Sequence, residues 1–235
     1  VKNEWLEKTR EYWDPTGLFN AKFRKIYVNR EIMKIKNPEK LNDIWNLSII
    51  KDINWILEDI TQDPNMTVME IGCGVGRLLK EMSTRFKKVI GVDVSPKMIE
   101  LAKEYMLGCE DVKLYSTNGI SFPSVRRNTV DFVYSTITFQ HMTTDDVIES
   151  NLKGIGRVLK PGAQFRIQTM RSTPNIGHKR RLSKNWKVGD SITQTGYSPS
   201  TDWWYEKTKS YNLELDTIVH QDDDTLWTIF TGHKK

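Results

Sequence analysis

The chain has 235 residues, enough for one sizeable α/β domain with an appendage, and its 35 basic against 30 acidic residues leave a mild formal charge of +5. That balance permits an anionic partner without requiring one. Two cysteines, Cys73 and Cys109, form neither a disulfide framework nor a metal-ligand cluster, so a reducing, cytoplasmic setting is the default. No apolar run approaches the roughly 18 residues of a membrane span, and a soluble protein is expected.

From Val1 to about Asp14 the spacing of Trp5, Leu6, Thr9 and Trp13 predicts a short amphipathic helix, stopped by Asp14-Pro15-Thr16-Gly17. Leu18 to Asn37 interleaves aromatic and basic residues, among them Phe19, Lys22, Phe23, Arg24, Lys25 and Tyr27. Such interleaving fits nucleic-acid contact, or a segment that packs its aromatics on the main domain. Asn37-Pro38-Glu39 then opens a longer helix, in which Leu41, Ile44, Trp45, Ser48, Ile49, Asp52, Ile53, Ile56, Leu57 and Ile60 recur at steps of three and four. It should cover one face of a sheet.

Val68 to Leu79 reads strand, tight turn, helix. Gly72, Gly74 and Gly76 clear β-carbons from the turn, so its backbone can take positive φ and approach a ligand. The next helix should start near Val75 or Gly76 with its free N–H groups facing that ligand, and Leu78, Leu79, Met82 and Phe86 as its buried stripe. A dinucleotide fingerprint wants G-x-G-x-x-G. Here the spacing is G-x-G-x-G, and Glu70 stands two residues before the first glycine, where a carboxylate repels pyrophosphate and suits a cation. A second buried strand, Val89 to Asp93, ends in an acid 23 residues after Glu70, about the length of a strand–helix–strand unit. Asp93 can accept both hydroxyls of a ribose. Ser95 as N-cap and Pro96 at the first helical position start the following helix.

These two stretches resemble the first and second motifs of class I S-adenosylmethionine-dependent methyltransferases. The resemblance implies a Rossmann-like, seven-stranded, mostly parallel sheet with helices on both faces and a C-terminal antiparallel hairpin. It also implies S-adenosyl-L-methionine as cofactor, with S-adenosyl-L-homocysteine as product. Glu70 would lie near the methionine moiety, with Gly72, Cys73, Gly74 and Gly76 along the cofactor. Asp93 would hold the ribose, and Val94 and Met98 would pack near the adenine.

Val112 to Ser116 makes a third strand. The loop after it places Asn118, followed by Gly119, where the family usually carries an aspartate for the adenine amino group; an Asn carbonyl can accept from that group. Val130 to Thr136 is the nearly continuous apolar run of a central strand covered on both faces. The residues past it resemble the family's fourth motif, which implies Ser135, Thr136, Gln140 and His141 near the methyl-transfer centre. His141 is the candidate general base, or a histidine that only hydrogen-bonds the cofactor or caps the next helix.

Thr143 or Thr144 caps a helix with Asp145 and Asp146 in its first turn, and Leu159-Lys160-Pro161-Gly162 closes it before a strand from Ala163 to Thr169. Residues 171–200 form a long connection carrying Lys179, Arg180, Arg181, Lys184 and Lys187, either a substrate-side loop or a solvated charged one. Trp203, Trp204 and Tyr211 suggest a last helix. Leu213 to Val219 and Leu226 to Thr231 then alternate as a hairpin across Asp222-Asp223-Asp224.

The domain organisation is therefore an extension over residues 1–38, whose Tyr12 and Trp13 are candidates for covering the cofactor site as a lid, and a methyltransferase domain over 39–235. No metal is expected. Ser135-Thr136-Ile137-Thr138 lacks the proline-containing stretch of enzymes that methylate exocyclic base nitrogens. With so few extra residues for an RNA-binding domain, the expectation is an enzyme that methylates an oxygen or nitrogen of a small-molecule metabolite. RNA or protein methylation and a non-catalytic cofactor-binding module are the alternatives, and a nicotinamide-dependent oxidoreductase is disfavoured by Glu70 and the glycine spacing.

Overall fold

The structure, a computed structural model, describes residues 7, 9, 10, 13, 14, 38–142, 144–170, 198–220 and 227–235. Seven strands form one sheet: β1 (Thr67–Ile71), β2 (Lys88–Asp93), β3 (Val112–Ser116), β4 (Val130–Ser135), β5 (Leu159–Met170), β6 (Leu213–His220) and β7 (Trp227–Lys234). Their order is β3-β2-β1-β4-β5-β7-β6. The first five run parallel, and β7 lies antiparallel between β5 and β6. Among the described residues these helices accompany them: α1 (Pro38–Leu57), α2 (Arg77–Met82), α3 (Pro96–Tyr105), α4 (Asp145–Val158) and α5 (Thr201–Ser210). The chain winds outward from β1 to β3, then returns to β4 beside β1. The strand order therefore reverses between β1 and β4, where such sheets open a crevice at their carboxyl ends.

Successive strand residues point to opposite faces, and both faces are covered. On one, Met69, Ile71, Ile90, Val92, Val133, Phe165 and Ile167 pack with Val147, Ile148, Leu152 and Ile155 of α4 and with Trp204 of α5. On the other, Val68, Val89, Phe132 and Tyr134 pack with Trp45, Ile49, Ile53 and Ile56 of α1, Leu78 and Met82 of α2, and Met98 and Ile99 of α3. Glu70 alternates with Met69 and Ile71, which sends its carboxylate to the α1–α2 face, among apolar side chains.

Ends differ from expectation in physically readable ways. The helix after the glycine turn starts at Arg77 and stops at Met82, so Phe86 is buried from the loop beyond it rather than from a helical stripe. β5 begins at Leu159, not Ala163, because Leu159 already pairs with Val130; Pro161 and Gly162 fall where the β4–β5 register shifts. Of the two candidate caps, Thr144 accepts from the Val147 N–H. The hairpin strands run longer than the alternation suggested, to His220 and Lys234. Arg166 of β5, buried at 7% exposure, donates to the carbonyls of Trp55 and Ile56 and to Thr231 Oγ1 (3.0 Å). It thereby satisfies orphan carbonyls at the end of α1 and ties that helix to the β5–β7 seam.

Candidate active site

The glycine turn is bound to the end of β2. Gly72 N–H and Cys73 N–H donate to Val92 O (2.8 and 3.1 Å), and Gly74 N–H donates to Asp93 Oδ2 (2.9 Å). Asp93 Oδ1 accepts from Ser95 N–H (2.9 Å), and Ser95 Oγ accepts from Met98 N–H (3.0 Å), capping α3. One acid thus joins the turn after β1 to the helix after β2. Burial pushes the Asp93 carboxyl up from its ordinary value, against the pull of the Ser95, Gly74 and Val94 N–H groups, and nearby Asp14 adds to the rise.

Gly72 has φ 74°, and Gly74 and Gly76 are also left-handed at 53° and 83°. At Gly72 a β-carbon would collide with the Thr138 side chain, so glycine here serves close approach of the loop after β4 as well as conformation. Cys73 is buried, its thiol 3.7 Å from Gly74 O, and burial raises its pKa well above the ordinary thiol value. This is an inert packing thiol.

Glu70 is 3% exposed and accepts from Tyr134 O–H (3.1 Å). Burial pushes its carboxyl up to about 8; Arg77 and the Tyr134 hydrogen bond oppose the rise, and Asp93 and Asp52 reinforce it. Arg77 itself pairs with Asp52 (2.6 Å) and donates to Ser48 Oγ (3.3 Å).

The loop after β4 forms the other wall. Ser135 Oγ donates to Ile71 O (2.9 Å), and buried Thr136 offers its carbonyl to Thr138 Oγ1 (2.9 Å). Ile137 holds φ 52°, an outlier for a β-branched residue, and its N–H donates to Gln168 Oε1 (3.2 Å) of β5. A single 3-10 turn, Phe139–His141, follows. In it Gln140 Nε2 lies 3.2 Å from His141 Nε2, while Gln140 Oε1 is buried without a hydrogen-bond partner among the described residues. The Trp13 ring meets His141 edge-on, centroids 5.2 Å apart.

Beyond β3, Gly119 N–H donates to Thr117 Oγ1 (3.2 Å), and exposed Asn118 accepts from Ile120 N–H (3.2 Å) and Ser121 O–H (3.0 Å). The Asn118 carbonyl is thus engaged in its own turn. Arg10 reaches this region from the N-terminal segment, donating to Val94 O (3.0 Å) and Thr117 O (3.1 Å). Asp14 accepts from Ser95 O–H.

Residues 68–162 match the family described as methyltransferase domain. Over this segment the chain matches a methyltransferase domain, and the relatives support the class I, S-adenosylmethionine-dependent kind. It is 30% identical to an uncharacterized methyltransferase of Oceanobacillus iheyensis over 48% of this chain and 51% of that one. It is also 30% identical to the demethylmenaquinone methyltransferase of Staphylococcus aureus, over 60% and 59%. The chain thus spans between half and three-fifths of the length of these relatives. Among solved structures, the geranyl diphosphate C-methyltransferase of Streptomyces coelicolor shares the fold, with a TM-score of 0.70, 15% identity and 98% of each chain covered.

The residues of the methyltransferase domain fit the family's cofactor, S-adenosylmethionine. A carboxylate offers about four lone-pair sites, and Asp93 retains acceptor capacity beyond its backbone bonds. Gln140 Oε1, without a partner among the described residues, is a buried acceptor of the kind a polar ligand satisfies. The structure brings Glu70, the glycines, Asp93, Val94, Met98, Ser135, Thr136, Gln140 and His141 to the carboxyl ends of β1, β2 and β4, with Asn118 and Gly119 beyond the neighbouring β3. Sequence reasoning missed Arg10, Tyr134, Thr138 and Gln168, which carry no local signature of a site. Tyr12 and the basic residues Lys179 to Lys187 lie outside the described residues. Among the described residues no cluster of metal-ligating side chains occurs, and no helix is long and apolar enough to cross a membrane.

Proposed function

We propose that the chain transfers the methyl group of S-adenosylmethionine to an oxygen or nitrogen nucleophile of a small-molecule metabolite. The observation that carries this reading is the convergence of the glycine turn, Asp93 and the Gln140–His141 pair around the switch point between β1 and β4. Asp93 would receive the ribose of the cofactor on its remaining acceptor capacity, Val94 and Met98 would flank the adenine, and the backbone at Asn118 and Gly119 would meet its edge. Glu70 would lie near the methionine end, and Gly72, Cys73, Gly74 and Gly76 would let the backbone run along it. Ser135, Thr136 and Gln140 line the methyl end.

Bound there, the cofactor supplies an electrophilic methyl group on a sulfonium that leaves as a neutral thioether. The protein's share is orientation of the acceptor and exclusion of water. His141 takes the proton an oxygen or nitrogen nucleophile must lose, and Trp13 fixes its ring. Residues 1–38 act as the lid over this site and residues 39–235 as the catalytic domain, a division supported by the contacts of Arg10, Trp13 and Asp14 with three different loops.

Isothermal titration with S-adenosylmethionine and S-adenosylhomocysteine tests the cofactor half of the reading. Micromolar binding is expected, weakened by about 1–3 kcal/mol in Asp93→Ala as a charge-assisted hydrogen bond is lost. Folded wild type that binds neither compound refutes it. A metabolite screen with labelled methyl donor tests the other half, because His141→Ala should lose about 100-fold or more on an acceptor that sheds a proton.

A further inference from the structure

The N-terminal segment meets the domain at points that are remote in sequence and adjacent in space. Arg10 Nε donates to Val94 O (3.0 Å), and its Nη2 donates to Thr117 O (3.1 Å). Val94 directly follows the last residue of β2, and Thr117 directly follows the last residue of β3. The paired register of these strands ends at Asp93 and Ser116. Past that pair the two loops are joined by Thr117 N–H donating to Asp93 O (2.8 Å) and then by the Arg10 guanidinium.

The guanidinium fork serves the two diverging carbonyls from two separate nitrogens, Nε and Nη2, whereas a lysine ammonium would have to reach both from a single nitrogen. The same segment is fixed twice more. Asp14 accepts from Ser95 O–H, the hydroxyl that caps α3, and Trp13 sits against His141. Thr9, one residue before Arg10, is buried. The fork therefore lies at the seam between the β2 loop, which carries Asp93 and Val94, and the β3 loop, which carries Asn118 and Gly119.

We propose that Arg10 is a positioning residue for the adenosine half of the cofactor, holding the β2 and β3 loops at the separation that accepts ribose and adenine. The inference rests on the cofactor reading given above. Because Arg10 binds both loops from the segment that also covers His141, adenosine binding and docking of that segment reinforce one another. Without the fork the two carbonyls return to water and the loops are no longer tied at a fixed distance.

The test is titration of S-adenosylhomocysteine and of 5′-methylthioadenosine, which keeps the adenosine half and lacks the amino-acid half, into wild type, Arg10→Ala and Arg10→Lys. Arg10→Ala should weaken both ligands by a similar factor, roughly 10-fold or more, with Arg10→Lys intermediate. Dissociation of S-adenosylhomocysteine, followed by tryptophan fluorescence, should accelerate by a comparable factor, and the urea midpoint of the free protein should stay near wild type. Equal affinity of wild type and Arg10→Ala overturns the inference. So does a loss confined to S-adenosylhomocysteine, or a loss that tracks a fallen urea midpoint. Wild type that binds neither ligand removes the cofactor reading instead, so the two failures are distinguishable.

Discussion

Replacing Glu70 by glutamine should make the protein less sensitive to alkali, by an amount the structure sets. Native Glu70 keeps its proton up to about pH 8, whereas an unfolded glutamate loses it near 4.5. Between those values the native chain holds one more proton than the unfolded chain, so stability falls as pH rises and levels off above the native value. Each pH unit in that window is worth about 1.4 kcal/mol. From about pH 6 to about pH 8 wild type should therefore lose about 2–3 kcal/mol through this group alone. Glutamine has the same shape and still accepts from Tyr134 O–H, but it has no charge to strand among the apolar side chains of the α1–α2 face. Urea unfolding of both proteins at about pH 6 and about pH 9 reads the difference, and the other titrating groups cancel in the comparison. The variant should hold about 2–3 kcal/mol more of its stability across the interval. Parallel losses in the two proteins would refute the argument, and would mean that water or Arg77 supports the ionised carboxylate in place.

Gly72→Ala should destabilise by about 2–3 kcal/mol, since it adds a collision with Thr138 to the cost of a left-handed alanine. Adding Thr138→Gly should recover the collision and leave about 1 kcal/mol, and a double substitution no better than the single one would sink the steric account. Arg166→Met should cost about 2–4 kcal/mol in urea unfolding, because it orphans the Trp55 and Ile56 carbonyls at the end of α1 along with Thr231 Oγ1. A cost below about 1 kcal/mol would show that those carbonyls find other donors.

The parts of this molecule that were legible in the sequence are those whose cause is local. Ser95-Pro96 caps and opens α3 because a hydroxyl and a fixed φ act within one turn, and β1 follows from the short run that leads straight into the glycine turn. The spacing of Glu70 and Asp93 likewise reflects one strand–helix–strand unit, so their neighbouring strand ends could be anticipated. What could not be read depends on partners far along the chain. Leu159 is strand because Val130 lies beside it, and Arg10 acts through carbonyls 84 and 107 residues away. Asn118 was read as an acceptor for an adenine amino group; its oxygen takes the Ile120 N–H and the Ser121 O–H, and the Asn-Gly pair signals a turn without showing how the side chain divides its bonds. Thr138 likewise carries no local mark of its contact with Gly72, which only the fold creates.

The place of β7 between β5 and β6 gives the chain an order of assembly. β6 is synthesised before β7, its neighbour in the sheet, and β5 offers an unpaired edge until residues 227–234 arrive. During synthesis the parallel strands and their helices can collapse first, leaving a sticky border that the late strand must close. The Arg166–Thr231 bond forms only at that step, so the cap on α1 should be among the last features to mature on the way to the native state.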